Sequence, residues 1–186
     1  AYSSIAHMGY LLIAVIASFF ANGTVSIEAV TFYLLAYITM TLGAFGVVSI
    51  VSTSRNELGG ISDYQGLFWR APWLAAVFTA MLLSLAGIPL TVGFIGKFYV
   101  FLAGVESNLW ILLSVLIVGS GIGLYYYLRI VYRMLTPASK EEALVSPGME
   151  DLSSQGVLAI LFVLLIVLGV YPAPIMAIIE TISVYI

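Results

Sequence analysis

The sequence predicts an all-α integral membrane protein, on three observations. Of 186 residues, 62% are hydrophobic and only 8% are charged, against about 25% charged in ordinary soluble domains. Mean hydropathy is +1.15, and a chain this short has too little interior to hide so much apolar surface from water. The apolar residues run in stretches of helical length with no strand-type alternation, which argues against a transmembrane β-barrel. A soluble enzyme, a nucleic-acid binder and a disordered tail are excluded together. Six basic against nine acidic residues offer no basic patch for a phosphate backbone. With no cysteine, disulfides, thiolate metal sites and cysteine nucleophiles are excluded too.

A hydrocarbon core of roughly 30 Å takes about 20 helical residues, and five stretches qualify. Ser3–Ala21 is the first, closed by the turn pair Asn22-Gly23. Ser26–Val51 is the second, with Glu28 expected in its first turn at the positive end of the helix dipole. Ala71–Gly104 is the third, about 50 Å if straight and so too long for one crossing. Pro89 removes a backbone donor, Gly87 loosens the same point, and a break between Ala86 and Thr91 is expected. Leu109–Arg129 is the fourth span. Gln155–Tyr171 is the fifth, stopped by Pro172 and Pro174, with Ile175–Ile186 as a short interfacial tail. The chain reads as a single membrane domain, residues 1–186, of about five helices with the third discontinuous. It opens on Ala1 inside an apolar run with no signal-peptide pattern, so it reads as the C-terminal piece of a longer protein.

The loops set the orientation. Arg55, Arg70, Arg129, Arg133 and Lys140 all fall on or beside the segments 52–70 and 130–154, on one side of the membrane. The other side carries no Lys or Arg, so the positive-inside rule makes those two segments cytoplasmic and the C-terminus external. Thr136–Ser154 is the only solvated stretch of any length, and its Lys140-Glu141-Glu142 cluster reads as a soluble face.

One basic residue stands apart. Lys97 lies deep in the third span, where a lysine costs from about 2.5 kcal/mol upward. It stands seven residues from Gly104, about 10 Å along a helix, which leaves a snorkelling alternative. Against that, Gly93, Lys97, Val100 and Gly104 share one face with Gly96 beside it, and small residues admit a neighbouring helix. The break frees carbonyls near Leu85 and Ala86, which a membrane tolerates only against protein or water. Broken helices recur at ion sites of transporters. Phe94, Phe98 and Phe101 are expected to wall the lysine, with Ser84 and Thr91 bracketing the break and capping it.

His7, the one histidine, forms a polar stripe with Ser3 and Tyr10 on the first span, and Tyr33, Tyr37 and Thr41 form another on the second. Both stripes line water or bond across helices. A single histidine makes no metal site; His7 is either a packing residue or a member of a proton relay. Gly119, Ser120, Gly121 and Gly123 read as a close-packing surface, and Tyr125-Tyr126-Tyr127 before Arg129 as an interfacial aromatic belt.

The runs Ala1-Tyr2-Ser3-Ser4-Ile5-Ala6-His7-Met8-Gly9-Tyr10, Ser84-Leu85-Ala86-Gly87-Ile88-Pro89 and Gly93-Phe94-Ile95-Gly96-Lys97-Phe98, with Tyr125-Tyr126-Tyr127-Leu128-Arg129, closely resemble the antiporter-like subunits of respiratory complex I. Their N branch is the nearest in wording; the M branch has a glutamate where Lys97 stands. The resemblance covers essentially the whole chain. It implies two inverted five-helix repeats, of which this chain holds most of the second plus the last helix. It implies that Lys97 and His7 belong to a polar axis at mid-membrane depth, with the glutamate and lysines of the first repeat lying before Ala1. The implied function is proton translocation by a membrane-arm subunit of NADH:quinone oxidoreductase, through Lys97 and His7 as proton relay. The implied partners are the neighbouring antiporter-like subunit M, the small subunit K and the lipid bilayer, with no nucleic acid. No cofactor is expected on this chain; NADH, FMN, Fe–S clusters and quinone fall to other subunits. The implied location is the bacterial inner membrane, with the C-terminus periplasmic. A subunit of a multi-subunit cation/proton antiporter or membrane-bound hydrogenase, and a non-conducting scaffold, are the alternatives.

Overall fold

A computed structural model of the chain describes residues 2–20, 24–53, 60–137 and 152–183. These are helical throughout apart from short turns: α1 (Tyr2–Ser18), α2 (Thr24–Thr53), a 3₁₀ turn (Ile61–Tyr64), α3 (Leu67–Arg70), α4 (Pro72–Ala86), α5 (Val92–Glu106), α6 (Trp110–Leu135), α7 (Leu152–Val170) and α8 (Ala173–Ser183). Stretches of α2, α6 and α7 are each long and apolar enough to cross a membrane alone. With α1 and the broken pair α4–α5, they form the predicted five passes.

The axis of the bundle is α2, against which α1, α4, α5, α7 and α8 all pack. Its Phe32, Tyr33, Met40 and Val47 are fully buried. Close crossings depend on missing side chains. A Cβ on Gly96 would lie 3.0 Å from the Tyr33 ring, and one on Gly93 would overlap the Ser84 carbonyl. α5 is thereby pressed between α2 and the end of α4.

Polar contacts tie the bundle at both ends. Gln65 Nε2 donates to the Pro137 carbonyl at 2.8 Å and Trp69 Nε1 to that of Leu135 at 3.2 Å. The segment after α2 and the end of α6 therefore share one side. The Ser107 hydroxyl donates to the Ala17 carbonyl at 3.1 Å, joining α1 and α5 at the other.

Several boundaries differ from the sequence reading. Glu28 is the fifth residue of α2, one past the first turn, because the helix begins at Thr24. The segment before Ala71 is not all loop: a 3₁₀ turn and the single-turn α3 fold back, and Leu67 is fully buried. α6 continues six residues past Arg129 to Leu135. Ser153 and Ser154 belong to α7 rather than to a solvated loop. The tail is helical over α8 and packs on α2 through buried Met176 and Ile179. Asn22-Gly23, Arg55 and the Lys140-Glu141-Glu142 cluster lie outside the described residues.

Candidate functional site: a lysine at a helix break

The break spans the five residues 87–91, within the window expected from Gly87 and Pro89. Gly87 makes the stop: at φ 82° it takes the left-handed conformation that closes α4. Its N–H donates to the Ser84 carbonyl at 2.9 Å, and the Ile88 N–H donates to Leu83 at 3.1 Å. Pro89 then prevents the helix from resuming in register. Thr91 caps α5, its hydroxyl oxygen accepting the Phe94 N–H at 3.3 Å. The buried Ser84 hydroxyl accepts the Gly93 N–H at 3.0 Å. Ser84 and Thr91 are thus engaged as caps across the break.

Two carbonyls at the end of α4 remain, those of Leu85 and Ala86, and both are taken by Lys97. Its Nζ donates to each at 3.0 Å and to the Ser120 hydroxyl oxygen at 2.9 Å. Lys97 is only 7% exposed, so it does not snorkel within the described structure. An ammonium at the negative end of α4 is also favoured by the helix dipole. Nζ lies 5.5 Å from the centroid of the Tyr10 ring, within cation–π range.

His7 also packs on Tyr10, their rings edge-to-face at 5.6 Å. Both imidazole nitrogens have phenol neighbours: Nδ1 lies 2.7 Å from Tyr33 Oη and Nε2 3.4 Å from Tyr127 Oη. Tyr37 stacks on the ring at 5.2 Å, and Tyr127 also hydrogen-bonds Ser3. Ser3, His7, Tyr10, Lys97, Ser120 and Tyr127 border one cavity of about 600 Å³, far above the roughly 15 Å³ that one water needs. Lys97 and Ser120 also border a second cavity of about 370 Å³, with Gly87, Pro89, Phe94, Phe98 and Phe101. The phenylalanines therefore line a space beside the lysine rather than sealing it, and Phe98 is 48% exposed.

Of the two sequence-predicted stripes, α1 delivers Ser3, His7 and Tyr10, while α2 delivers Tyr33 and Tyr37 but not Thr41. The Thr41 hydroxyl back-bonds to the Tyr37 and Ile38 carbonyls of its own helix, at 2.6 and 3.2 Å. Two site residues lie in runs whose sequence points to packing and anchoring alone. Ser120 lies in the glycine run and holds Lys97. Tyr127 lies in the tyrosine run, yet it is buried on His7 while Tyr125 and Tyr126 are exposed. The seven-residue spacing of Ser120 and Tyr127 places both on one face of α6 and is the sequence signal that joins them.

The family described as "NADH:quinone oxidoreductase/Mrp antiporter, TM" matches residues 1–123. The chain belongs to that family. Among curated relatives, a protein of Methylococcus capsulatus named NADH-quinone oxidoreductase subunit N is 56% identical over 138 residues, 74% of this chain and 28% of that protein. Among solved structures, respiratory complex I from Thermus thermophilus with bound aureothin matches with a TM-score of 0.78 at 28% identity. That match covers 95% of this chain and 38% of the other. The Mrp complex from Dietzia sp. DQ12-45-1b matches with a TM-score of 0.83 at 20% identity, over 98% of this chain and 41% of that one, and shares the fold. The chain thus spans less than half the length of each of these proteins.

Proposed function

We propose that this chain is part of a proton-translocating membrane-arm subunit of NADH:quinone oxidoreductase, in which Lys97 takes up and releases a proton during turnover. One observation carries the reading. A buried lysine closes the open end of a broken helix and borders two cavities, one of them shared with His7, Tyr10 and Tyr127. A lysine that only packed helices would need neither cavity. His7 serves as the second relay member, and neighbouring charges tip Lys97 between its two states. On this reading NADH, FMN, Fe–S clusters and quinone are held by other subunits. Subunits M and K are the neighbours, the membrane is the bacterial inner membrane, and Ile186 is periplasmic.

The likeness to the Mrp fold keeps a cation/proton antiporter as the second reading; identity of 56% to a subunit N supports the first. Purification through the tagged full-length subunit separates them. NADH-dependent quinone reduction in the purified assembly supports the first, and cation-driven proton exchange without NADH oxidation supports the second.

The deciding experiment is Lys97→Ala in the full-length subunit of the assembled enzyme. Proton pumping falls by about tenfold or more, with normal assembly. Lys97→Arg is impaired as well, because arginine stays protonated. Normal assembly with an unchanged proton-to-electron ratio in Lys97→Ala would leave the chain a non-conducting scaffold.

A further inference from the structure

We infer that the Ser120 hydroxyl is the group through which Lys97 gives up and regains its proton. The inference rests on the proposed reading of Lys97 as a proton carrier. An ammonium has three N–H donors and no acceptor. All three have partners here: the carbonyls of Leu85 and Ala86 at 3.0 Å and Ser120 Oγ at 2.9 Å. The two carbonyls accept a hydrogen bond but have no proton to pass on. Ser120 accepts from Nζ and also donates, its hydroxyl lying 3.4 Å from the Ala86 carbonyl. Of the three partners it alone can change from acceptor to donor.

The chemistry follows from that asymmetry. The Nζ–H bond breaks as a new O–H bond forms on Ser120. The original hydroxyl proton passes to a water in an adjoining cavity, so the ammonium becomes an amine, the water gains one proton and the hydroxyl is restored. The amine then carries a lone pair that no carbonyl can serve. Rotation of the Ser120 hydroxyl toward it supplies the missing donor and holds the neutral lysine in place. Reversal reloads the site. Because Ser120 borders both the cavity lined by His7 and the one lined by Pro89, turning its O–H from the Ala86 carbonyl toward one cavity or the other sets the side with which the proton exchanges.

Gly119, next to Ser120, lets α6 approach closely. The close contact is at Gly119, where a Cβ would lie 2.8 Å from Tyr10 Oη; at Gly121 a Cβ would meet nothing within 4 Å. α6 can therefore set a small hydroxyl against the break.

The test uses three variants of the full-length subunit in the assembled enzyme, with Lys97→Ala alongside. Ser120→Thr keeps the hydroxyl, and Ser120→Val has the same shape without it. Ser120→Ala covers the case in which a branched residue fails to fit. Pumping per assembled complex is expected to fall about tenfold in Ser120→Val and Ser120→Ala, while Ser120→Thr retains at least half. Should the branched pair not assemble, the Ser120→Ala result decides. Ser120→Ala at the wild-type rate, or Ser120→Thr as poor as Ser120→Val, overturns the inference. Normal pumping by Lys97→Ala would instead sink the underlying reading. An impaired Lys97→Ala beside a normal Ser120→Ala would sink Ser120 alone.

Discussion

The Gly93 N–H of α5 donates to the Ser84 hydroxyl of α4 at 3.0 Å, so the two halves of the broken helix are pinned to each other as well as to Lys97. Ser84 is fully buried, and its loss leaves a buried N–H without a partner, at a cost of about 1–3 kcal/mol. Adding a Cβ at Gly93 is worse in kind. It would overlap the Ser84 carbonyl and come within 2.9 Å of Met40 Sδ, and the backbone on both sides is fixed. Gly93→Ala is expected to lower the thermal midpoint of the solubilised complex and the membrane level of the subunit, each by more than Ser84→Ala does. Wild-type melting of Gly93→Ala would show that the halves are not held this closely.

Gly87 tests the link between break geometry and the lysine. Its φ of 82° costs a residue with a Cβ about 1–2 kcal/mol, and that Cβ would sit 2.9 Å from Lys97 Nζ and 3.0 Å from Cδ. Gly87→Ala should therefore reduce pumping per assembled complex at least threefold. Gly156→Ala, where nothing lies within 4 Å, should leave pumping unchanged. Equal behaviour of the two variants would detach the break from function.

The legible and illegible parts of the site differ for a physical reason. Excess length, Gly87 and Pro89 locate the break because they act through backbone geometry along the chain. Lys97 announces itself through the cost of a charge in hydrocarbon. Ser120 and Tyr127 do not: their partners are 23 and 120 residues away in sequence. A serine among glycines satisfies close packing just as well. Thr41 marks the converse limit, since periodicity gives the face of a helix but not whether a hydroxyl turns back onto its own carbonyls.

Topology can be read with single cysteines: these 186 residues contain none, and any native cysteine elsewhere in the full-length subunit is replaced first. Ser62 is exposed beside Arg70 on the basic side, and Glu106 is exposed at the far end of α5. Ser62→Cys should react with an impermeant maleimide only from the cytoplasm, and Glu106→Cys only from the periplasm. Labelling of both from one side would contradict a single passage through α4 and α5. Labelling from the opposite sides would reverse the orientation.

The sharpest separation of packing from proton transfer lies at His7. A neutral imidazole donates from one nitrogen and accepts at the other, and phenol hydroxyls fill either role. Tyr33 and Tyr127 therefore suit both tautomers, and a proton arriving on one nitrogen can leave from the other. Glutamine also offers one donor group and one acceptor but does not exchange protons near neutral pH. His7→Gln should preserve assembly and the thermal midpoint while lowering pumping about tenfold. Tyr127→Phe removes only the longer contact to His7 and the bond to Ser3. It should fall between wild type and His7→Gln in pumping. Tyr33→Phe strips the 2.7 Å partner from a fully buried position and should also destabilise by about 1–3 kcal/mol. Rates and proton-to-electron ratios measured in reconstituted vesicles, beside melting curves, give both readouts. If His7→Gln pumps at the wild-type ratio, His7 is a hydrogen-bonded packing residue, and the path from Lys97 runs elsewhere in the cavity.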